Sequence, residues 1–215
     1  MFKDYFVAKF PENYPWYKKG AANFIYVAGN IVIHRRNNLL TEIDRINLEK
    51  VLKPGDVLTV GNLRRLYSVV IRKPVTHAIL YLEKDKFIHV TGNGVEYTTM
   101  DYIFQTYDTF AVFRMKKHDE TVIRSVLNYT KNQIGKPYNF GFRNSDEKYF
   151  CTQLINEAYQ ESGYKTSLKT NQDGRLKIPL SPADFLKGNF SLVLTSLNLE
   201  HSENKFVLKK SLLNE

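Results

Sequence analysis

Cys151, His77 and His89 are the residues of this chain whose types and spacing suit nucleophilic chemistry. Cys151 is the sole cysteine. It stands where a Gly/Pro/Asn-rich loop, Gly135-Lys136-Pro137-Tyr138-Asn139, gives way to a helical run ending near Tyr159. A thiol at a helix start is expected to ionise cheaply, because first-turn N–H groups and the positive end of the helix dipole favour thiolate over thiol. The competing reading is a small buried hydrophobe, since free cysteine is among the residues most often found inside. A nucleophilic cysteine also needs a base within hydrogen-bond reach and a third group to hold that base in the right tautomer. His77 heads one strand and His89 lies on the next, so the two approach each other across the ladder if the register slips.

The elements that must position these residues follow from local patterns. Thr76–Leu82 and Lys86–Val90 read as antiparallel strands around the turn Glu83-Lys84-Asp85. Thr41 caps a short helix through Ile43, Ile46, Val51 and Leu52, and Lys53-Pro54-Gly55-Asp56 stops it before a strand at Val57–Val60. Phe110–Arg114 is a further strand, and residues 120–133 carry Ile123, Leu127 and Thr130 at helical spacing. On the cysteine helix, Cys151, Leu154, Ile155 and Ala158 share one face, which turns the sulfur toward the protein body, and Gly163 suits the helix stop. Phe24–Ala28 and Ile31–Ile33 flank Gly29-Asn30 and predict a β-hairpin. Beyond the cysteine helix the pattern predicts a polar loop over 169–177, a Pro-initiated helix at 181–185 and a late strand at Phe206–Leu208.

Composition narrows the function classes. The chain has 215 residues, 43% apolar and 25% charged, with 14 Tyr and 14 Phe, which describes a globular protein rather than a disordered one. One cysteine excludes an intrachain disulfide and a cysteine zinc cluster. The five histidines, His34, His77, His89, His118 and His201, never fall at i, i+4 on one helix, so neither a metal nor a cofactor is expected. The start, Met1–Phe6, mixes charge with aromatics and does not read as a secretory signal, so a cytoplasmic location is expected. A net charge of +9 implies attraction to polyanions, whether nucleic acid, anionic lipid or an acidic substrate. The aromatics are not paired with basic residues in a recognisable RNA or single-strand motif, which ranks nucleic acid last.

Five ordered blocks carry a family likeness: Leu52–Leu58, Thr76–Leu82, Phe87–Val90, Ile134–Tyr138 and Tyr149–Ile155. Together they resemble the YiiX/YebB-like cysteine hydrolases, a circularly permuted branch of the papain-like NlpC superfamily, over about residues 50–186. The resemblance implies an α+β, permuted papain-like fold, with an antiparallel sheet packed against the helix that bears the nucleophile. Permutation accounts for the histidine preceding the cysteine. The likeness makes Cys151 the nucleophile and His77 the base. His89 stands where relatives carry a polar residue, often an acid, that orients the base, and Asn139 stands where relatives commonly have an acid. Tyr138 either contacts substrate or anchors its loop.

The expected organisation is an N-terminal embellishment over 1–50, serving as lid or interface, a catalytic core over 51–190 and a tail over 191–215. The expected activity is thiol-dependent hydrolysis of an amide or ester carbonyl through an acyl-enzyme, on a small peptide or a lipid acyl group. The basic pairs Arg64-Arg65, Arg72-Lys73 and Lys116-Lys117 suit an anionic membrane surface near the cleft. The alternative is a non-catalytic module that binds a ligand or a membrane surface on the same fold. Oligomeric state is not legible in the sequence.

Overall fold

The computed structural model describes residues 7, 10, 13–33, 38–66, 73–140, 147–168, 183–202 and 205–209. Its centre is a six-stranded, wholly antiparallel sheet in the order β4-β3-β2-β1-β5-β6: β1 Val57–Gly61, β2 His77–Glu83, β3 Lys86–Thr91, β4 Gly94–Thr98, β5 Thr109–Met115 and β6 Phe190–Thr195. A separate hairpin pairs β7 Leu199–Ser202 with β8 Lys205–Leu208.

Helices cover both faces, and strand alternation decides which residue meets which layer. One face turns Val57, Ala78, Leu80, Ile88, Val90 and Phe113 toward α4 Glu120–Lys131, α5 Cys151–Glu161 and α6 Ala183–Lys187. The other turns Leu58, Val60, Ile79, Phe87, Phe110 and Val112 toward α2 Glu42–Val51 and α3 Met100–Thr106. The mixed architecture with its mostly antiparallel sheet is the expected fold class.

The helix boundaries follow local chemistry. Thr41 and Asp44 form a reciprocal capping box at the start of α2, and Asp119 accepts from the N–H groups of Thr121 and Val122 at the start of α4. Asp56, from the turn before β1, is buried and accepts from Arg114 Nε at 2.7 Å and Nη2 at 2.6 Å. Asp56 also accepts from Lys53 N at 2.8 Å, and Arg114 Nη2 donates to Val51 O at 2.6 Å, so one ion pair joins α2, the turn and β5.

One sequence reading is corrected. Residues predicted as a hairpin around Gly29-Asn30 instead form helix α1, Trp16–Gly29, with Asn30 as its C-cap; within 31–33 only Val32 makes a β-bridge, to Arg65. The β-branched and aromatic run from Phe24 fits a strand locally, but Pro15 at the N-cap and the packing of Ala22 and Tyr26 onto the body select the helix. The expected strand at Phe206–Leu208 forms within β8, Lys205–Leu208, and β6 adds to the main sheet against β5. The predicted polar loop at 169–177 and Ser181-Pro182 lie outside the described residues; the helix that follows them spans Ala183–Lys187. Among the described residues no helix is long and apolar enough to cross a membrane.

Candidate active site

The hairpin of β2 and β3 sets the histidine geometry through one irregularity. The ladder opens at the turn with Glu83 opposite Lys86, yet Tyr81 lies opposite Phe87 and Ile79 opposite His89, so one extra residue is inserted between Tyr81 and Glu83. Without that bulge Tyr81 would face Ile88, and His89 would project from the opposite face to His77. With it the imidazoles share a face, and His77 Nε2 lies 3.4 Å from His89 Nδ1. His77 stacks on Tyr107 with centroids 6.0 Å apart, and His89 meets Tyr102 edge-on at 5.9 Å.

A third group continues the chain of contacts. β4 pairs His89 with Glu96, and His89 Nε2 lies 3.7 Å from Glu96 Oε1. Thr91 Oγ1 donates to that same carboxylate oxygen. A carboxylate on this side favours a proton on His89 Nε2, which leaves Nδ1 to accept from His77 Nε2–H; the network thereby assigns the lone pair of His77 to Nδ1. Sequence reasoning missed Glu96. The signal was the alternation through Gly94-Val95-Glu96-Tyr97, readable only once β3 and β4 are paired.

Cys151 opens α5. Gln153, buried one turn into the helix, accepts from Phe150 N at 3.4 Å and from Asn139 Nδ2 at 2.9 Å, and donates to Glu157 at 2.8 Å. Asn139, which stands where relatives commonly have an acid, fastens its loop to the helix through this bond. The loop is also held at its other end: Val95 N donates to Lys136 O at 2.9 Å, and Gly94, at φ +97°, passes so close that a Cβ would sit 2.2 Å from Lys136 O. Tyr138, half-buried, bridges to Tyr149 and packs on Phe140 with centroids 4.6 Å apart; burial, then the neighbouring Cys151 and Tyr26, push its phenol far up.

The backbone N–H groups of Ala78, Thr152 and Cys151 itself favour the anion of the sulfur. Ala78 identifies where the two halves of the site join. Tyr81 N donates to Asp56 O on the β1 side, so alternation turns the Ala78 N–H toward β3, where the paired register begins at Ile79 and His89. That N–H belongs to the peptide unit linking His77 to Ala78, and it is one of the groups that favour the thiolate. Cys151 packs with the face of α5, whereas His77 stacks toward α3, so sulfur and imidazole reach the open end of β2 from opposite faces. The His77 ring meets His89 and Tyr107, and among the described residues no hydrogen bond joins it to the sulfur.

The protonation states differ from the sequence expectation of a readily ionised thiol. Burial pushes the Cys151 thiol up and outweighs the N–H groups that favour its anion. Burial also lowers His77 to about 4, and burial followed by the charge of His77 holds His89 well below its ordinary value. The resting site is therefore a neutral thiol beside neutral imidazoles. Because the folded chain holds both imidazoles below the 6.5 of a free histidine, the unfolded chain binds protons first as pH falls. Stability present above about pH 6.5 should be lost on descending toward about pH 4. Allowing for the partial exposure of His77, its share should be roughly 1–2 kcal/mol. Urea midpoints across that range check this: the parent should weaken toward acid, and the double variant His77→Gln/His89→Gln should weaken less.

Comparisons with known proteins agree on the fold. The crystal structure of the metalloprotein YiiX from Escherichia coli O157:H7 superposes with a TM-score of 0.52 at 19% identity, covering 67% of this chain and 97% of that one. No curated protein matches the chain. A family model described as permuted papain-like amidase enzyme, YaeF/YiiX, C92 family, matches residues 51–181, a stretch that carries both histidines, Glu96, the loop with Tyr138 and the whole of α5. The chain belongs to this C92 family of permuted papain-like amidases.

Proposed function

We propose that the protein is a thiol-dependent hydrolase that cleaves an amide or ester carbonyl through an acyl-enzyme on Cys151, with His77 as base. The observation that supports this reading is the engagement of His77 Nε2 by His89 Nδ1 at 3.4 Å, on the strand whose Ala78 N–H favours the anion of Cys151. The lone pair that this network leaves on His77 is on Nδ1, the ring nitrogen nearer the backbone.

Attack begins as the Cys151 proton passes to His77 Nδ1 and the sulfur bonds to the carbonyl carbon. The oxygen becomes an oxyanion facing the N–H groups at the start of α5, each well-placed donor lowering the barrier by about 3 kcal/mol. Collapse expels the amine or alcohol, which takes the proton from His77. Water then adds to the thioester with His77 as base, and the acid leaves as the thiol is restored. The charge that forms on His77 is relayed through His89 toward Glu96. Substrates of this reading are a short peptide amide or a lipid acyl group.

Glu96→Gln should lower kcat about 10-fold with KM unchanged, because the imidazolium loses its nearby anion in the transition state. The acid limb of kcat/KM should move to lower pH, and Glu96→Asp should retain most of the activity. Unchanged kcat and an unmoved limb would remove Glu96 from the relay.

A ligand-capture module without turnover is the second reading, favoured by the raised thiol and by the absence of a recorded sulfur–imidazole bond among the described residues. Intact-mass detection of an acyl adduct on Cys151, formed from activated amides, esters and thioesters, separates the two. Hydrolase action requires the adduct to form and then decay in the parent, and to form slowly in His77→Ala. An inert thiol across that panel would leave only capture.

A further inference from the structure

Helix α1 packs on the body beside Gly92 on one face and is bare on the other. Its inner side places Tyr26 where a Cβ on Gly92 would come within 2.9 Å of the ring, and Tyr26 also neighbours Tyr138 beside Cys151. Its outer side exposes Trp16 at 84%, Tyr17 at 58% and Phe24 at 75%. Tyr17 and Phe24 stand seven residues apart and so lie on one stripe, and Trp16 packs edge-on against Tyr17 with centroids 6.1 Å apart. The apolar surface continues into Ile31, Val32 and Ile33, all exposed.

Basic residues flank this surface. Lys18 is exposed next to Tyr17, whereas Lys19 turns back over the Phe10 ring at 5.9 Å; at the far end, where Val32 bridges to Arg65 and Ile33 N donates to Arg64 O at 2.8 Å, Arg65 donates to Asn30 Oδ1 and Arg64 Nε lies 3.5 Å from the buried Asp108 carboxylate. Between Asn13 and Ile33 the sequence has no Asp or Glu, and the whole chain carries +9. A 14-residue helix is too short to span a bilayer. Exposed Trp, Tyr and Phe with interleaved lysines instead suit a helix lying in the plane of a lipid surface, where amphipathic rings sit at headgroup level and cations meet anionic lipid.

We infer that α1 with Ile31–Ile33 is an interfacial docking face for an anionic phospholipid surface. The inference concerns binding and does not depend on whether Cys151 turns a substrate over.

Trp16 is the sole tryptophan and so reports on this face directly. The full chain is titrated with phosphatidylcholine vesicles, with and without phosphatidylserine. The expected result is a blue shift of emission with phosphatidylserine vesicles, quenching by brominated acyl chains, and partition that weakens as salt rises. The double variant Tyr17→Ser/Phe24→Ser keeps the reporter and should lose at least about 10-fold in partition. Its melting temperature should match the parent, because both side chains are exposed. No shift with phosphatidylserine vesicles, equal partition onto neutral vesicles, or undiminished binding by the variant would overturn the inference. A shift that tracks protein concentration without vesicles, with a doubling of mass, would assign the face to a second copy of the chain instead.

Discussion

Cys151→Ala should leave kcat/KM at least about 10³-fold below the parent on any amide or ester the protein hydrolyses, and His77→Ala should do nearly the same. The two losses should not add, because the sulfur and the base act as one unit and either deletion removes the nucleophilic step. Combining both should cost little beyond the larger single effect. Single-turnover acylation followed by intact mass reads the first step directly, and melting temperatures within a few degrees of the parent show that the fold is intact. Activity retained within 10-fold in either single variant would end the nucleophile–base assignment. His89→Gln should fall between these extremes: glutamine can still accept from His77 Nε2–H but cannot pass charge toward Glu96.

Asp56→Ala should be the most damaging substitution for stability, at about 3–5 kcal/mol, because it strands a guanidinium amid three elements. Asp56 is 1% exposed and receives both nitrogens of Arg114, whose charge that contact reinforces. Its loss also frees Lys53 N at the turn between α2 and β1. Arg114→Met/Asp56→Leu should recover much of the loss, since two apolar groups leave no uncompensated charge. Chemical denaturation at neutral pH measures both; a change below about 1 kcal/mol for Asp56→Ala would mean that water replaces the carboxylate at little cost.

The readable parts of this protein are those fixed by short-range chemistry. The capping box at Thr41 and Asp44, the turn before Val57, the strands on either side of Lys84-Asp85 and the face of α5 from Cys151 to Ala158 all follow from neighbours within a few residues. Long-range choices were the illegible ones. The pairing of β6 with β5 joins Phe190 to Met115 across the α5 region, and no local pattern announces it. Glu96 faces His89 only because β4 adds to the β3 edge. The helix at 16–29 was misread because its rings fit either a strand or an amphipathic helix, and burial of Ala22 against the body decided between them. The thiol's protonation was misjudged for a related reason: helix position is local, whereas the desolvation that opposes it comes from packing by distant strands.

The double fastening of residues 135–139 bears on how a guest is received. The segment is stapled to β4 through Lys136 and to α5 through Asn139. A guest that meets this loop should therefore find it already ordered, with little freedom surrendered by that segment on binding.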